Sequence, residues 1–158
     1  MKAALVFLAS LAVLGFAPLQ VPDPTLAVTA PPKQVQAGTK LTLKVNLTFA
    51  PGYHGYQNPP ASEYEIPVTV KVDSKEFKVS KIAYPAGEDA SVGGSEKPTK
   101  TYAGKVTIPV TVTVPTKPGV KTLKVVASYQ QCDETSCFAP AEVATTVKIN
   151  VVKKVTKG

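Results

Sequence analysis

A chain of 158 residues supports one hydrophobic core rather than two. Its formal net charge of +7 rests on eighteen basic residues, all of them lysine, so the planar fork that recognises phosphate and guanine edges in two-point contacts is missing. The lysines are spread along the polar sides of strands, which points to a solvated surface and away from nucleic acid or membrane binding.

The first segment, MKAALVFLASLAVLGFAPLQ, places Lys2 ahead of an apolar run from Ala3 to about Ala17, the charged start and apolar middle of a secretory signal. It is short and weakly flanked for a membrane span, and an uncleaved amino-terminal anchor is the alternative to a cleaved signal. Gly15 and Ala17 are small enough for cleavage, but Pro18 follows at once and leaves the cleavage point open. Residues 1–20 are therefore expected to be a signal peptide and the protein to be exported, periplasmic or extracytoplasmic. Residues 21–34, rich in proline, read as an extended leader with a short strand at its end. Residues 35–153 form the expected domain, and 154–158 a tail.

The clearest pattern is LTLKVNLTF, where Leu41, Leu43, Val45, Leu47 and Phe49 alternate with polar residues at the period of two that a half-buried strand requires. The same logic predicts strands over 66–72, 76–84, 105–114, 120–129 and 143–152, rich in valine and threonine and bounded by turn formers. Pro109 lies inside one run and requires a bulge or a missing ladder partner. The turn PTKPG, Pro115 to Gly119, reads as a hairpin connection. About seven short strands and no convincing helical period predict an all-β fold, an immunoglobulin-like antiparallel β-sandwich. Two polar, turn-rich segments, residues 50–65 and 85–100, read as long loops, where function commonly resides.

Both cysteines fall in SYQQCDETSCFAP, at the end of a strand. In an exported protein they are expected to pair, Cys132 with Cys137. A ring closing four residues is a weak staple, worth about 2 kcal/mol by chain entropy, because the effect grows with loop length. That favours chemistry at an accessible rim, where another protein's sulfur can approach. Asp133 and Glu134, beside the thiols, disfavour a thiolate and should hold the thiol pKa above its ordinary value of about 8.5. The competing reading is a non-catalytic binding module whose bridge locks a rim loop.

His54 is the only histidine. With Cys132 and Cys137 it offers two sulfurs and an imidazole, but the Cys-x4-Cys spacing is wide for zinc and no fourth ligand is evident, so loop packing is the expectation and no metal. Tyr53, Tyr56 and Tyr64 read as core or rim packing, one of them bordering the cysteines as a lesser alternative. A nucleophile elbow and a phosphate-cradling loop are absent from the sequence, which sets hydrolysis aside.

The run YQQCDETSCFAP, with PGYHGY and TYAGKVTIPVTVTV, resembles in order three elements of the amino-terminal periplasmic domain of the thiol:disulfide interchange reductase DsbD, over about residues 35–152. The resemblance implies an immunoglobulin-like domain, needing no cofactor, whose cysteine pair takes electrons from a membrane-embedded conductor and passes them to exported thioredoxin-like proteins. It further implies that Cys137 attacks the partner's disulfide and Cys132 resolves the mixed disulfide. Family members shield the pair with a loop bearing an aromatic residue; here the matching loop offers Val92, with Tyr102 or Phe138 as substitutes. Glu88 and Asp89 fall near the family's acidic pair beside the active site. With the chain ending at Gly158, the electrons are expected from a separate membrane protein, and the carrier is expected to be a monomer.

Overall fold

The computed structural model describes residues 21–155, so the expected signal segment and the last three residues lie outside the described residues. The described residues form twelve strands: β1 Thr25–Val28, β2 Val35–Gln36, β3 Lys40–Thr48, β4 His54–Tyr56, β5 Thr69–Asp73, β6 Lys78–Ile82, β7 Glu88–Ala90, β8 Thr99–Ala103, β9 Lys105–Thr113, β10 Gly119–Tyr129, β11 Gln131–Cys132 and β12 Ala141–Val152. They make three four-stranded sheets, ordered β1-β3-β9-β6, β2-β12-β10-β5 and β11-β4-β8-β7.

The first two sheets are the immunoglobulin-like sandwich. Alternation drives them together: Leu41, Leu43, Val45 and Leu47 of β3 and Val106, Ile108, Val110 and Val112 of β9 point inward and are buried. They meet Leu123, Val125 and Ala127 of β10 and Ile149 and Val151 of β12 in one core. Each fully buried side chain of this size is worth about 1.5–3 kcal/mol relative to exposure. The lysines of β3, Lys40 and Lys44, occupy the exposed positions between them.

Four features differ from the sequence expectation. The proline-rich leader is not merely a connector, because β1 pairs antiparallel with β3 from Thr25 opposite Thr48 to Val28 opposite Val45. PTKPG is not a hairpin: β9 and β10 lie in different sheets, and the turn carries the chain from one to the other, with Pro115 O accepting from Gly38 N. The prolines at 115 and 118 supply no backbone N–H for a ladder there. Several predicted strands are shorter, 66–72 becoming β5 and 76–84 becoming β6. Finally, the two long loops contribute β4, β7 and the start of β8 to a third sheet.

Pro109 sits in register with Lys44 in the central strand β9. Its carbonyl accepts from Ala83 N at 2.9 Å, one residue past the end of β6. A residue's N and O point to the same side of a strand, so the missing N–H faces the place where β6 has ended. The bulge lies elsewhere, in β6 between Val79 and Lys81.

The third sheet lies across the end of the sandwich where β10 finishes. Tyr129 closes that end of the core edge-on to Phe49, with ring centroids 6.2 Å apart. Its hydroxyl donates to Asp23 Oδ1 at 3.1 Å, and Gln131 Nε2 donates to Pro22 O at 3.0 Å, so the entering chain is tied beside the leaving end of β10. Gly55 lets β4 lie flat on this layer: a Cβ there would fall 2.6 Å from Phe49 Cζ.

Candidate functional site

Cys132 and Cys137 are joined, and the backbone around them is a small hairpin. Asp133 N donates to Ser136 O (2.9 Å) and Phe138 N to Gln131 O (2.8 Å). These bonds set the two cysteines opposite one another as an antiparallel bridge, Cα to Cα 4.0 Å. The turn is closed by Asp133, whose Oδ1 accepts from Thr135 N (2.8 Å), Ser136 N (2.7 Å) and Thr135 Oγ1 (3.0 Å). Those donors favour the ionised carboxylate and hold its pKa below the ordinary 3.8. The hairpin thus has hydrogen bonds of its own besides the sulfur–sulfur bond.

The two sulfurs have different surroundings. Cys132 is 1% exposed and lies outside the main core, next to His54 in the register of β4. Cys137 is exposed. The Tyr56 hydroxyl lies 3.4 Å from Cys137 Sγ, and since a bridged sulfur carries no hydrogen, the hydroxyl is the donor. Burial, and behind it the charge of Glu65, pushes the Tyr56 pKa upward, so this donor keeps its proton across neutral pH.

The loop after β7 folds over the hairpin. Gly93 N donates to Asp133 O at 2.8 Å and Gly94 N to Glu134 O at 2.9 Å. Both glycines have positive φ, +64° and +75°, a conformation that costs other residues about 1–2 kcal/mol. A Cβ on Gly93 would sit 2.8 Å from Cys137 Sγ, so backbone itself lies on the sulfur. Val92, beside it, is 3% exposed yet not part of the main core. The cover is therefore a bare glycine pair anchored by a buried valine.

The fold disperses the other predicted site residues. Tyr102 is a core residue of β8: its hydroxyl donates to Pro85 O (2.8 Å) and accepts from Asn58 N (3.2 Å), pinning the bases of both long loops rather than covering the sulfurs. Phe138 is half-buried with its ring 6.1 Å from Tyr53. Glu134 is exposed and engages the cover through its carbonyl. Glu88 and Asp89 stand on β7, with β8 and β4 between them and β11. Three strand spacings separate that edge from Cys132, about 14 Å, and Asp89 is paired with Lys100 at 2.8 Å. His54 Nδ1 shares a hydrogen bond with Thr101 Oγ1 at 3.2 Å, and among the described residues no three His, Cys, Asp or Glu side chains gather as a metal would need. Sequence reasoning missed the Gly93–Gly94 cover, for which the GG pair was the available signal, and left Tyr56 without its role at the sulfur.

A β-sandwich that carries a bridged cysteine pair in a rim hairpin, under a loop cover, is a scaffold for thiol:disulfide interchange. Residues 20–149 match the family model of the N-terminal domain of the thiol:disulfide interchange protein DsbD, and the chain belongs to that family. Among solved structures, the N-terminal periplasmic domain of ScsB from Proteus mirabilis superposes with a TM-score of 0.57 at 16% identity, over 85% of this chain and 49% of that one; the present chain thus spans about half its length. The DsbD N-terminal domain of Neisseria meningitidis in its reduced form gives 0.47 at 20% identity, over 85% and 90%. The same domain in complex with the PilB N-terminal domain gives 0.48 at 17%, over 85% and 88%. No curated protein is detectably similar to the chain.

Proposed function

We propose that the protein is an exported dithiol carrier that takes electrons from a membrane-embedded conductor and delivers them to thioredoxin-like partners, with Cys137 as the attacking sulfur and Cys132 as the resolving one. The observation that carries this reading is the contrast between the two cysteines in one hairpin, Cys132 buried at 1% exposure and Cys137 on the exposed arm, with the Gly93 backbone and the Tyr56 hydroxyl on its sulfur. An incoming protein that displaces the glycine cover can form a mixed disulfide at Cys137, while Cys132, already opposite, waits to displace it.

In the reduced protein the Cys137 thiolate attacks one sulfur of the partner's disulfide, forming the mixed bond and releasing the partner's second sulfur as a thiolate. The Cys132 thiolate then attacks Cys137 Sγ, closing the ring and expelling the partner's first sulfur. Two electrons pass to the partner, and its two thiolates take up the two protons that the carrier's thiols gave up. Recharging by the conductor runs the same steps backward. The Tyr56 hydroxyl is placed to donate to Cys137 when that sulfur leaves as a thiolate. A purely structural bridge fits poorly here, since the hairpin is already closed by its own hydrogen bonds.

The test is trapping. A Cys132→Ser variant mixed with oxidised thioredoxin should accumulate a mixed disulfide that a Cys137→Ser variant does not form, visible as a reducible band on non-reducing gels. Equal trapping by both variants would refute the assignment of roles, and trapping by neither would refute the carrier.

A further inference from the structure

Beside the cysteines runs a groove of about 400 Å³, walled by Tyr56, Tyr64, Glu65, Val92, Lys97 and Pro98 among others. Its inner wall, Tyr56, is the residue whose hydroxyl touches Cys137 Sγ. On its outer wall stands Tyr64, 86% exposed, followed by Ile66 at 43%. A single exposed apolar residue requires no explanation, but this one is held in place. The Glu65 carboxylate accepts from Ala61 N at 2.7 Å and Ser62 N at 3.4 Å, and from Thr99 Oγ1 on β8. Tyr64 N donates to Ser62 Oγ, and Glu65 N to Ser62 O. The turn is thereby clamped to the third sheet, so the backbone from which the ring projects is fixed.

We propose that Tyr64 and this groove are the docking surface for the protein partner, with the surface around the disulfide of a thioredoxin-fold protein packing on the Tyr64 ring. This rests on the carrier function above and extends it to the recognition step. Three observations support this occupant. The groove is continuous with the exchanging sulfur through Tyr56. Its one carboxylate, Glu65, is held by three donors of its own protein and shares the lining with Lys97, so the groove has no excess of either charge to select an ionic ligand. Tyrosine combines large contact area with few rotatable bonds, the quality that makes it a frequent anchor at interfaces. Small thiols, which need only reach the sulfur, make no use of such a wall.

The experiment compares the reduced wild type with Tyr64→Ser in stopped-flow reduction of two oxidants, oxidised thioredoxin and glutathione disulfide; both reactions close the Cys132–Cys137 bond and pass two electrons to the oxidant. Loss of an aromatic anchor should slow the thioredoxin reaction about tenfold or more, while the glutathione reaction and the melting temperature stay unchanged and Tyr64→Phe restores the rate. Equal thioredoxin rates in wild type and Tyr64→Ser would overturn the docking surface while leaving the carrier intact. Equal slowing with both oxidants would also overturn it, by showing that Tyr64 acts on the sulfur rather than on the partner. A Cys132→Ser form that traps no mixed disulfide with thioredoxin would overturn the carrier reading along with it.

Discussion

The sandwich and the small sheet at its end are built on opposite terms. β10 and β12 stay in register over eleven pairs, from Gly119 opposite Val151 to Tyr129 opposite Ala141, and their inward residues are buried in a shared core. β11 and β4 share two pairs, and the hairpin beyond them is held by single hydrogen bonds and one carboxylate. Stability resides in the first region and access in the second. The lesson is that, on the carrier function proposed above, the sulfurs would change bonding partners and their cover would move in a layer separate from the core that positions them.

The sharpest challenge to this division comes from the core. Leu123→Ala, at a fully buried site on β10, should cost about 2–5 kcal/mol of stability, seen as a lower urea midpoint. The rate at which dithiothreitol reduces the bridge in the protein that remains folded should be unaltered. A changed rate would mean that the two regions are coupled. Gly93→Ala probes the other side. It combines the cost of a positive φ, about 1–2 kcal/mol, with a Cβ 2.8 Å from Cys137 Sγ. The cover should lift and dithiothreitol should open the bridge several-fold faster, with little movement of the main unfolding transition. An unchanged rate would show that the glycine pair does not guard the sulfur.

The smallest effect lies at the junction of the two regions. Tyr129 has its pKa pushed up to about 12, first by burial and then by its hydrogen bond to Asp23 and that carboxylate's charge. The folded state favours the protonated phenol, so its contribution is complete below pH 10, where the unfolded residue also keeps its proton, and is lost as pH rises toward 12. Tyr129→Phe should cost about 1 kcal/mol at neutral pH, the net worth of one hydrogen bond. It should also flatten the loss of stability between pH 10 and 12 in urea titrations. A variant as alkali-sensitive as the wild type would place the titrating group elsewhere.

The same contrast governs what could be read from the residues. Leu41 to Phe49 and the valine-threonine runs showed the sandwich because long half-buried strands write a period of two into sequence. β4, β7, β8 and β11 are two to five residues long, too short for a period, and they pair through residues such as Gly55 and Thr101 whose positions depend on what lies beneath. The cysteine pair and its rim position were legible from spacing and from the strand that precedes it. Its asymmetry was not, since nothing in CDETSC marks one sulfur as sealed; Cys132 takes its place from pairing with His54 of β4, far upstream in the chain. The acidic pair Glu88 and Asp89 was assigned by sequence likeness through a glycine-rich loop and Tyr102 as a substitute for the family's aromatic cap, and the fold puts the acids on the edge strand β7 and the tyrosine in the core.

The tethering of Pro22 and Asp23 to Gln131 and Tyr129 has a practical corollary. Anything fused ahead of the domain emerges next to the sulfurs, whereas β12 delivers the other end of the chain to Gly119, eleven residue pairs away. Affinity handles, fluorophores and surface attachments therefore belong at the carboxyl end if they are not to crowd the chemistry.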